Sequence, residues 1–291
     1  MKKNILFLFL LCQGIVLSFQ SCELFDPSKN IPSYIQIDTI HLQTQANQGS
    51  NSSKIKDAWI YIDNNLQGIY ELPCTFPVLL SDNHTIDVKA GIITNGSSSI
   101  RSPYPFYSLF SQTIQLVSGK KQYIGKNGVI DVTYIPQAQF ALNEDFESNG
   151  FKFTSTTGST TNMVQTQASN EVFEGKRSGK VLLDASHFIF EAVSEKLVLP
   201  INGNPVYIEM NYKTENMVDL SLRFDNSGNM QEVGIGGMYP SYTWGKIYFE
   251  ISDVLSTYPN AKNIQLLIHA KKDETLNQSN LLFDNIKIVY R

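Results

Sequence analysis

The chain has 291 residues, 23 of them basic and 27 acidic, with 11% aromatic and 17% charged side chains. A mildly acidic chain without a basic run has no electrostatic footprint for nucleic acid. The length suits two domains of ordinary size better than one, and the aromatic content makes burial of a sizeable core no difficulty.

Met1-Lys2-Lys3-Asn4 is a short basic stretch, and Ile5 to Leu17 is an apolar run of about thirteen residues, below the roughly 20 that a spanning helix needs. Residues 1–21 therefore read as an export signal. Phe19-Gln20-Ser21-Cys22 ends that signal with a small residue before Cys, so Cys22 is expected to be the lipid-bearing first residue of a bacterial lipoprotein, carrying palmitate-type acyl chains. The alternative is a signal cut elsewhere, which leaves Cys22 as an ordinary thiol. Stable anchoring needs two or more acyl chains, which a multiply acylated Cys supplies. Cleavage removes Lys2 and Lys3 and no acid, leaving 21 basic against 27 acidic residues and a formal charge of −6. Cys12 leaves with the signal, so Cys74 is the one remaining thiol; its setting, Leu72-Pro73-Cys74-Thr75, has no His motif beside it and reads as a small buried hydrophobe.

Residues 22–31 are polar with proline close by and form a tether that reaches at most about 30 Å. Residues 32–137 then read as a β-sandwich. Tyr34 to Gln43 alternates as one half-buried strand, and Lys56 to Asp63 is a second, followed by Asn64-Asn65 turn chemistry. The series Tyr61-Ile62-Asp63, Gly68-x-Tyr70-x-x-Pro73 and Asn83-His84-Thr85-Ile86-x-Val88-x-Ala90 resembles the PEGA-type β-sandwich repeat, although Asp82-Asn83 replaces the usual Gly before His. That resemblance implies a structural, cell-surface module of Ig-like build. Pro103-Tyr104-Pro105-Phe106-Tyr107 sets three aromatics beside two prolines. It is either an exposed platform for a partner, through Tyr104, Phe106 and Tyr107, or a segment folded back on its own sandwich.

Residues 138–291 carry three landmarks: Asp145-Phe146-Glu147, Phe173-x-Gly175-Lys176-x-Ser178, and Phe283-Asp284-Asn285-Ile286. In this order they resemble the galactose-binding-like jelly roll of many carbohydrate-binding modules. The fold class expected for the whole chain is thus all-β, two β-sandwich domains in tandem, the second a jelly roll. Alternation sorts the strands of that second unit: Val206, Ile208, Met210 and Tyr212 oppose Tyr207, Glu209, Asn211 and Lys213, Leu220, Leu222 and Phe224 oppose Ser221, Arg223 and Asp225, and Ile264, Leu266 and Ile268 oppose Gln265, Leu267 and His269. The polar faces hold the candidate ligand-binding set Tyr207, Glu209, Arg223, Tyr248 and His269, with Asn211, which is a groove if the strands share a sheet and scattered solvated positions if they do not. The run Gly236 to Trp244 is a second candidate, a Gly-hinged loop rich in aromatics whose Trp244 begins a core strand. Ser252 to Tyr258 is the one short helix expected.

By the same alternation Asp284 falls on the inward face with Ile286 and Ile288, where an unpaired carboxylate is costly. The jelly-roll resemblance implies a structural calcium held by Glu147 and Asp284, with Asp145 a further ligand; hydrogen bonds to Asp284 are the competing explanation. Catalytic motifs are missing from the sequence: the four His residues lie apart, there is no HExxH or Gly-x-Ser-x-Gly, and nothing fixes Glu209 and Glu250 as a glycosidase pair. The expectation is a non-enzymatic lipoprotein of the outer membrane, on the cell surface, requiring no cofactor. The layout resembles two-domain lipoproteins of Bacteroidota-type bacteria. It is read first as an accessory subunit docking onto an outer-membrane protein complex, with surface glycan binding as the alternative.

Overall fold

A computed structural model describes residues 31–291. The signal, Cys22 and all but the end of the tether lie outside the described residues. The first sandwich starts where alternation placed a single strand between Tyr34 and Gln43. The structure breaks it in two, β1 (Ser33–Ile37) and β2 (Thr39–Gln43), because the chain changes sheets at Asp38. β1 lies between β5 (Cys74–Val78) and β9 (Lys121–Tyr123), whereas β2 runs parallel to β10 (Val129–Thr133). The facing sheet orders β4 (Asn65–Glu71), β3 (Asp57–Ile62) and β6 (Asp82–Ile93); the far edge of β6 is shared by β7 (Arg101–Pro103) near its end and β8 (Phe110–Leu116) near its start. Ile35, Ile37, Ile60, Ile86, Val88 and Phe76 fill the space between the sheets.

The second unit is a sandwich of two larger sheets. One orders β13 (Val164–Thr166), β14 (Ser178–Leu183), β21 (Ser279–Tyr290), β16 (Val206–Thr214) and β19 (Ser241–Glu250), with β11 (Gln139–Glu144) continuing the place of β14 along β21. The other orders β12 (Phe153–Ser155), β15 (Ile189–Ser194), β20 (Ala261–Lys271), β17 (Val218–Asn226) and β18 (Asn229–Met238). First and last strands thus lie in the same sheet, and all pairings are antiparallel. The inward set sorted by alternation is the core: Val206, Ile208, Met210, Leu220, Leu222, Phe224, Leu266 and Ile268 are all buried between the sheets. The single helix among the described residues, α1 (Ser252–Thr257), follows β19 where expected.

The three landmarks of the second sequence half meet in space. Glu147 Oε1 accepts the backbone amides of Lys176 and Arg177 at 2.7 and 2.9 Å, and Ser178 Oγ donates to Asp284 Oδ2 at 2.6 Å. Gly175 holds φ +69° directly over the Glu147 carboxylate, where a Cβ has no room.

The expected inward position of Asp284 is not what the structure shows. Asn285 adopts φ +49°, and β21 has one residue too many against β16, so Asn211 faces Asp284 while Glu209 faces Lys287. That β-bulge resets the alternation. Leu281 and Phe283 point inward before it, Ile286 and Ile288 after it, and Asp284 is left on the outer face of its sheet.

Candidate functional site

The outer face of the β14–β21–β16–β19 sheet carries most of the residues singled out from sequence, and the fold divides it in two. One half lies beneath the first sandwich. Tyr207, Tyr248 and Val289 belong to the same buried cluster as Tyr104, Phe106, Tyr107 and Tyr134, none of them more than 6% exposed. The Tyr104 ring lies 5.2 Å from Tyr207, 5.4 Å from Tyr248 and 4.5 Å from Tyr107, in edge-on or tilted geometry. The two candidate surfaces therefore cover each other. Tyr104, Phe106 and Tyr107 do not form an exposed platform for an outside partner, and Tyr207, Glu209 and Tyr248 do not line an open groove. The physical reason is the same for both: apolar rings on one face and phenols on the other are stabilised by mutual burial, each aromatic pair contributing roughly 0.5–1.5 kcal/mol beyond its buried area.

A charged cluster sits within this junction. Glu209 is fully buried, and its Oε1 accepts the hydroxyls of Tyr104 at 2.6 Å and Tyr134 at 2.8 Å. Lys246 Nζ lies 3.0 Å from Glu209 Oε2, and Lys287 Nζ donates to the Ser50 carbonyl at 2.8 Å. Burial pushes the Glu209 carboxyl up, but the two ammonium groups outweigh it and hold it below the usual range. Burial also lowers Lys287, to about 8, against the pull of Glu209. Tyr104, Tyr107, Tyr134 and Tyr248 are all raised, first by desolvation and then by the neighbouring carboxylate or phenols, so they remain protonated donors. Backbone contacts complete the joint: Asn95 N donates to the Tyr248 carbonyl at 2.7 Å, Asn95 Oδ1 accepts Glu250 N at 2.9 Å, and Tyr248 Oη accepts Lys54 N at 2.9 Å. Asn95 thereby caps the exposed edge of β19. Glu250 lies at the exposed end of that strand opposite Tyr207, so Glu209 and Glu250 share no cleft.

Arg223 and His269 are on the other sheet, which splits the ligand-binding set. His269 faces Asp219 and Glu191 across its neighbouring strands, with Nδ1 at 4.0 Å from Asp219 Oδ2, and Arg223 Nε lies 3.5 Å from Glu232. This is a solvated polar face of weak exposed ion pairs.

The uncovered half of the first sheet's outer face is the candidate site. Beyond the junction, β16 presents Asn211 and Lys213, and β19 presents Lys246, Trp244 and Tyr242, which share the parity of Tyr248. Trp244 is therefore outside the core cluster, contrary to the core position expected for it. It stands half-buried in the wall of a crevice of about 380 Å³, against the Phe173 ring at 5.3 Å. Lys54 and its neighbours Ser52 and Ser53, from the first sandwich, form the opposite wall, and Lys54 and Lys246 also border an adjoining cavity of about 250 Å³. Asn211, 2% exposed, lines this crevice: its Nδ2 reaches the Gly245 carbonyl at 3.4 Å, while its Oδ1 has no partner. The indole N–H of Trp244 is also buried without an acceptor. Such groups cost free energy unless something completes them. Tyr242, 71% exposed, carries the strip onward past Lys213. The Gly236-to-Trp244 run named this region in sequence. Asn211, Phe173 and Lys54 had no sequence signal that joined them, since they come from strands and loops more than 30 residues apart.

Asp284 is next to Asn211 across the strand pair, with its carboxyl raised to about 7 by burial despite the Ser178 hydroxyl and the Asn285 amide. The acids for which the resemblance implies calcium are held by hydrogen bonds. Glu147 Oε1 is engaged by two amides, Asp145 Oδ1 by the Glu147 amide and Asp284 by Ser178, and among the described residues no three His, Cys, Asp or Glu side chains are grouped to hold an ion. Cys74 is half-buried, its thiol raised by desolvation, as expected of an inert packing residue.

No family profile matches this chain, and no curated protein matches it. Solved structures do. The chain is similar to the N-terminal modules of Clostridium thermocellum endo-1,4-β-D-xylanase 10B complexed with xylohexaose, at 20% identity and TM-score 0.39, over 52% of this chain and 28% of that one. It is also similar to TmCBM61 in complex with β-1,4-galactotriose, at 16% identity and TM-score 0.34, over 53% of this chain and 99% of that one. The family 11 carbohydrate-binding module from Clostridium thermocellum, in complex with a mixed-linked tetrasaccharide, is similar at 13% identity and TM-score 0.36, over 52% and 94%. The structural neighbours thus include carbohydrate-binding modules with β-sandwich folds.

Proposed function

We propose that the chain is a non-catalytic, saccharide-binding lipoprotein, acylated on Cys22 and held at the outer membrane facing the cell exterior. The observation that carries the binding role is Asn211, buried with a free carbonyl oxygen in a crevice walled by Trp244 and Phe173. A sugar has two kinds of surface, an apolar ring face and a rim of hydroxyls. Aromatic rings suit the first, and the serines at 52 and 53 with Lys54, which line the same crevice, suit the second. The crevice is within the size range of small-ligand sites. The alternative of docking to a membrane protein complex, through Pro103 to Tyr107 or an edge strand, loses the first of those two surfaces, since Tyr104, Phe106 and Tyr107 are consumed by the junction. A binding role also agrees with Glu209, which is engaged by two phenols and a lysine and so has no access to a substrate.

A glycan array followed by isothermal titration tests this reading. Saccharide binding that falls at least tenfold in both Trp244→Ala and Asn211→Ala is the expected result. Binding that survives both substitutions, or a blank array, refutes it.

A further inference from the structure

The end of the first sandwich remote from the second unit exposes apolar side chains from several segments. Leu79 is 71% exposed, Leu66 54%, Ile31 50% and Val117 40%. They are brought together by the fold. Ser33 Oγ donates to the Leu80 carbonyl, Gly119 N donates to the Pro32 carbonyl, and a Cβ added at Gly119 would lie 3.4 Å from the Ile31 methyl. Pro32, Gln67, Leu79 and Leu80 line one shallow depression. Next to this tip, the outer face of β1 and β9 carries the exposed tyrosines 34 and 123 alongside Lys121. Apolar side chains gathered at one tip with flanking Tyr and Lys are the composition of a membrane-interface surface.

Two facts of geometry say what covers this tip. Ile31 lies within the patch, only nine residues after the anchor proposed at Cys22, and on that anchor reading the inference rests. β6 runs from Asp82 at this tip to Ile93 beside the junction, and its 12 residues span about 36 Å, so the crevice lies at the opposite end from the patch. We infer that the Ile31–Leu79–Leu80 tip rests on the lipid surface and inserts these side chains into its interfacial zone, standing the second unit away from the membrane. The tip then supplies an orientation that attachment through a single residue does not. Charge plays a minor part, because Asp82 and the Asp63–His84 pair sit at the same end and offset Lys120 and Lys121.

The test uses the mature chain from residue 22 with Cys22→Ala, so that no acyl chain contributes, and vesicles of phosphatidylethanolamine with phosphatidylglycerol. Co-sedimentation of this chain, falling at least tenfold in the Leu79→Ser/Leu80→Ser double variant, is expected. Both positions are exposed, and an unchanged melting temperature checks that the variant is folded. As a second measurement, the acylated wild-type protein reconstituted in vesicles should show slowed amide exchange at residues 79–81 relative to the same protein in detergent-free solution as the Cys22→Ala form. No sedimentation of the non-acylated chain, equal sedimentation of the double variant, or binding abolished by 0.5 M salt (a Debye length of roughly 4 Å) overturns the inference, the last by making Lys120 and Lys121 the sole attraction.

Discussion

Replacing Glu209 by Gln keeps the size of the side chain and its capacity to accept from Tyr104 and Tyr134, but removes the charge that faces Lys246 and Lys287. Lys246 is 4% exposed and Lys287 is fully buried, so two ammonium groups then share a desolvated joint without a counter-ion. Breaking a buried pair by removing one partner costs about 3–5 kcal/mol. For a chain of this size, that lowers the melting temperature by roughly 10 °C. The deficit has a defined pH dependence. In the wild type Lys287 is already lowered to about 8, and Glu209 is what keeps it that high. Without the carboxylate the folded-state value falls further below that of the unfolded chain. The variant therefore gains stability relative to wild type as pH rises from about 6 toward 9, where the lysine can fold neutral. Urea denaturation at pH 6 and pH 9 measures both effects. A triple variant, Glu209→Gln with Lys246→Met and Lys287→Met, should recover most of the loss, because apolar replacement of a buried ion cluster is often neutral. A loss under about 1 kcal/mol at pH 6, or a deficit that grows with pH, refutes the assignment of this cluster as the charged lock between the two sandwiches.

Asp284→Asn should flatten the acid-to-neutral stability profile. The folded carboxyl, raised to about 7, favours its protonated form. Its contribution is fully present below about pH 4 and is lost as pH rises through 7, a difference of up to about 4 kcal/mol if the whole shift is realised; thermal scans of both proteins from pH 4 to 8 check it. Phe106→Ala, at a fully buried position in the junction, should cost about 3–5 kcal/mol by chemical denaturation and leave an intact far-UV β signature. Arg223→Ala, on the open sheet, should change stability by less than about 0.5 kcal/mol and leave saccharide affinity unchanged by titration, in contrast to Trp244→Ala. Cys22→Ala in the full chain should make the protein extractable from membranes by alkaline carbonate, under which the acylated protein stays in the pellet, without lowering its melting temperature.

Alternation and turn chemistry were sufficient to sort inward from outward side chains along β16, β17 and β20, because period two is a local property of the backbone. The landmarks Asp145-Phe146-Glu147, Gly175-to-Ser178 and Phe283-to-Ile286 were legible for a similar reason. Each sets a tight local geometry, and the three meet through short hydrogen bonds. Asp284 shows where the local rule stops. A single bulge at Asn285, which no alternation pattern announces, reverses every side chain on one side of it.

The division of the outer face was beyond the reach of sequence altogether. Tyr207, Glu209, Asn211 and Lys213 form one polar row along β16, and nothing local distinguishes the first two from the last two. Only the docking of Tyr104, Phe106 and Tyr107 decides that Tyr207 and Glu209 are core and that Asn211 lines a crevice. The sequence by itself determined which residues turn away from each sandwich, since that depends on backbone geometry alone. The tertiary structure decided which of those outward residues meet water, because burial between two sandwiches depends on how distant segments come together.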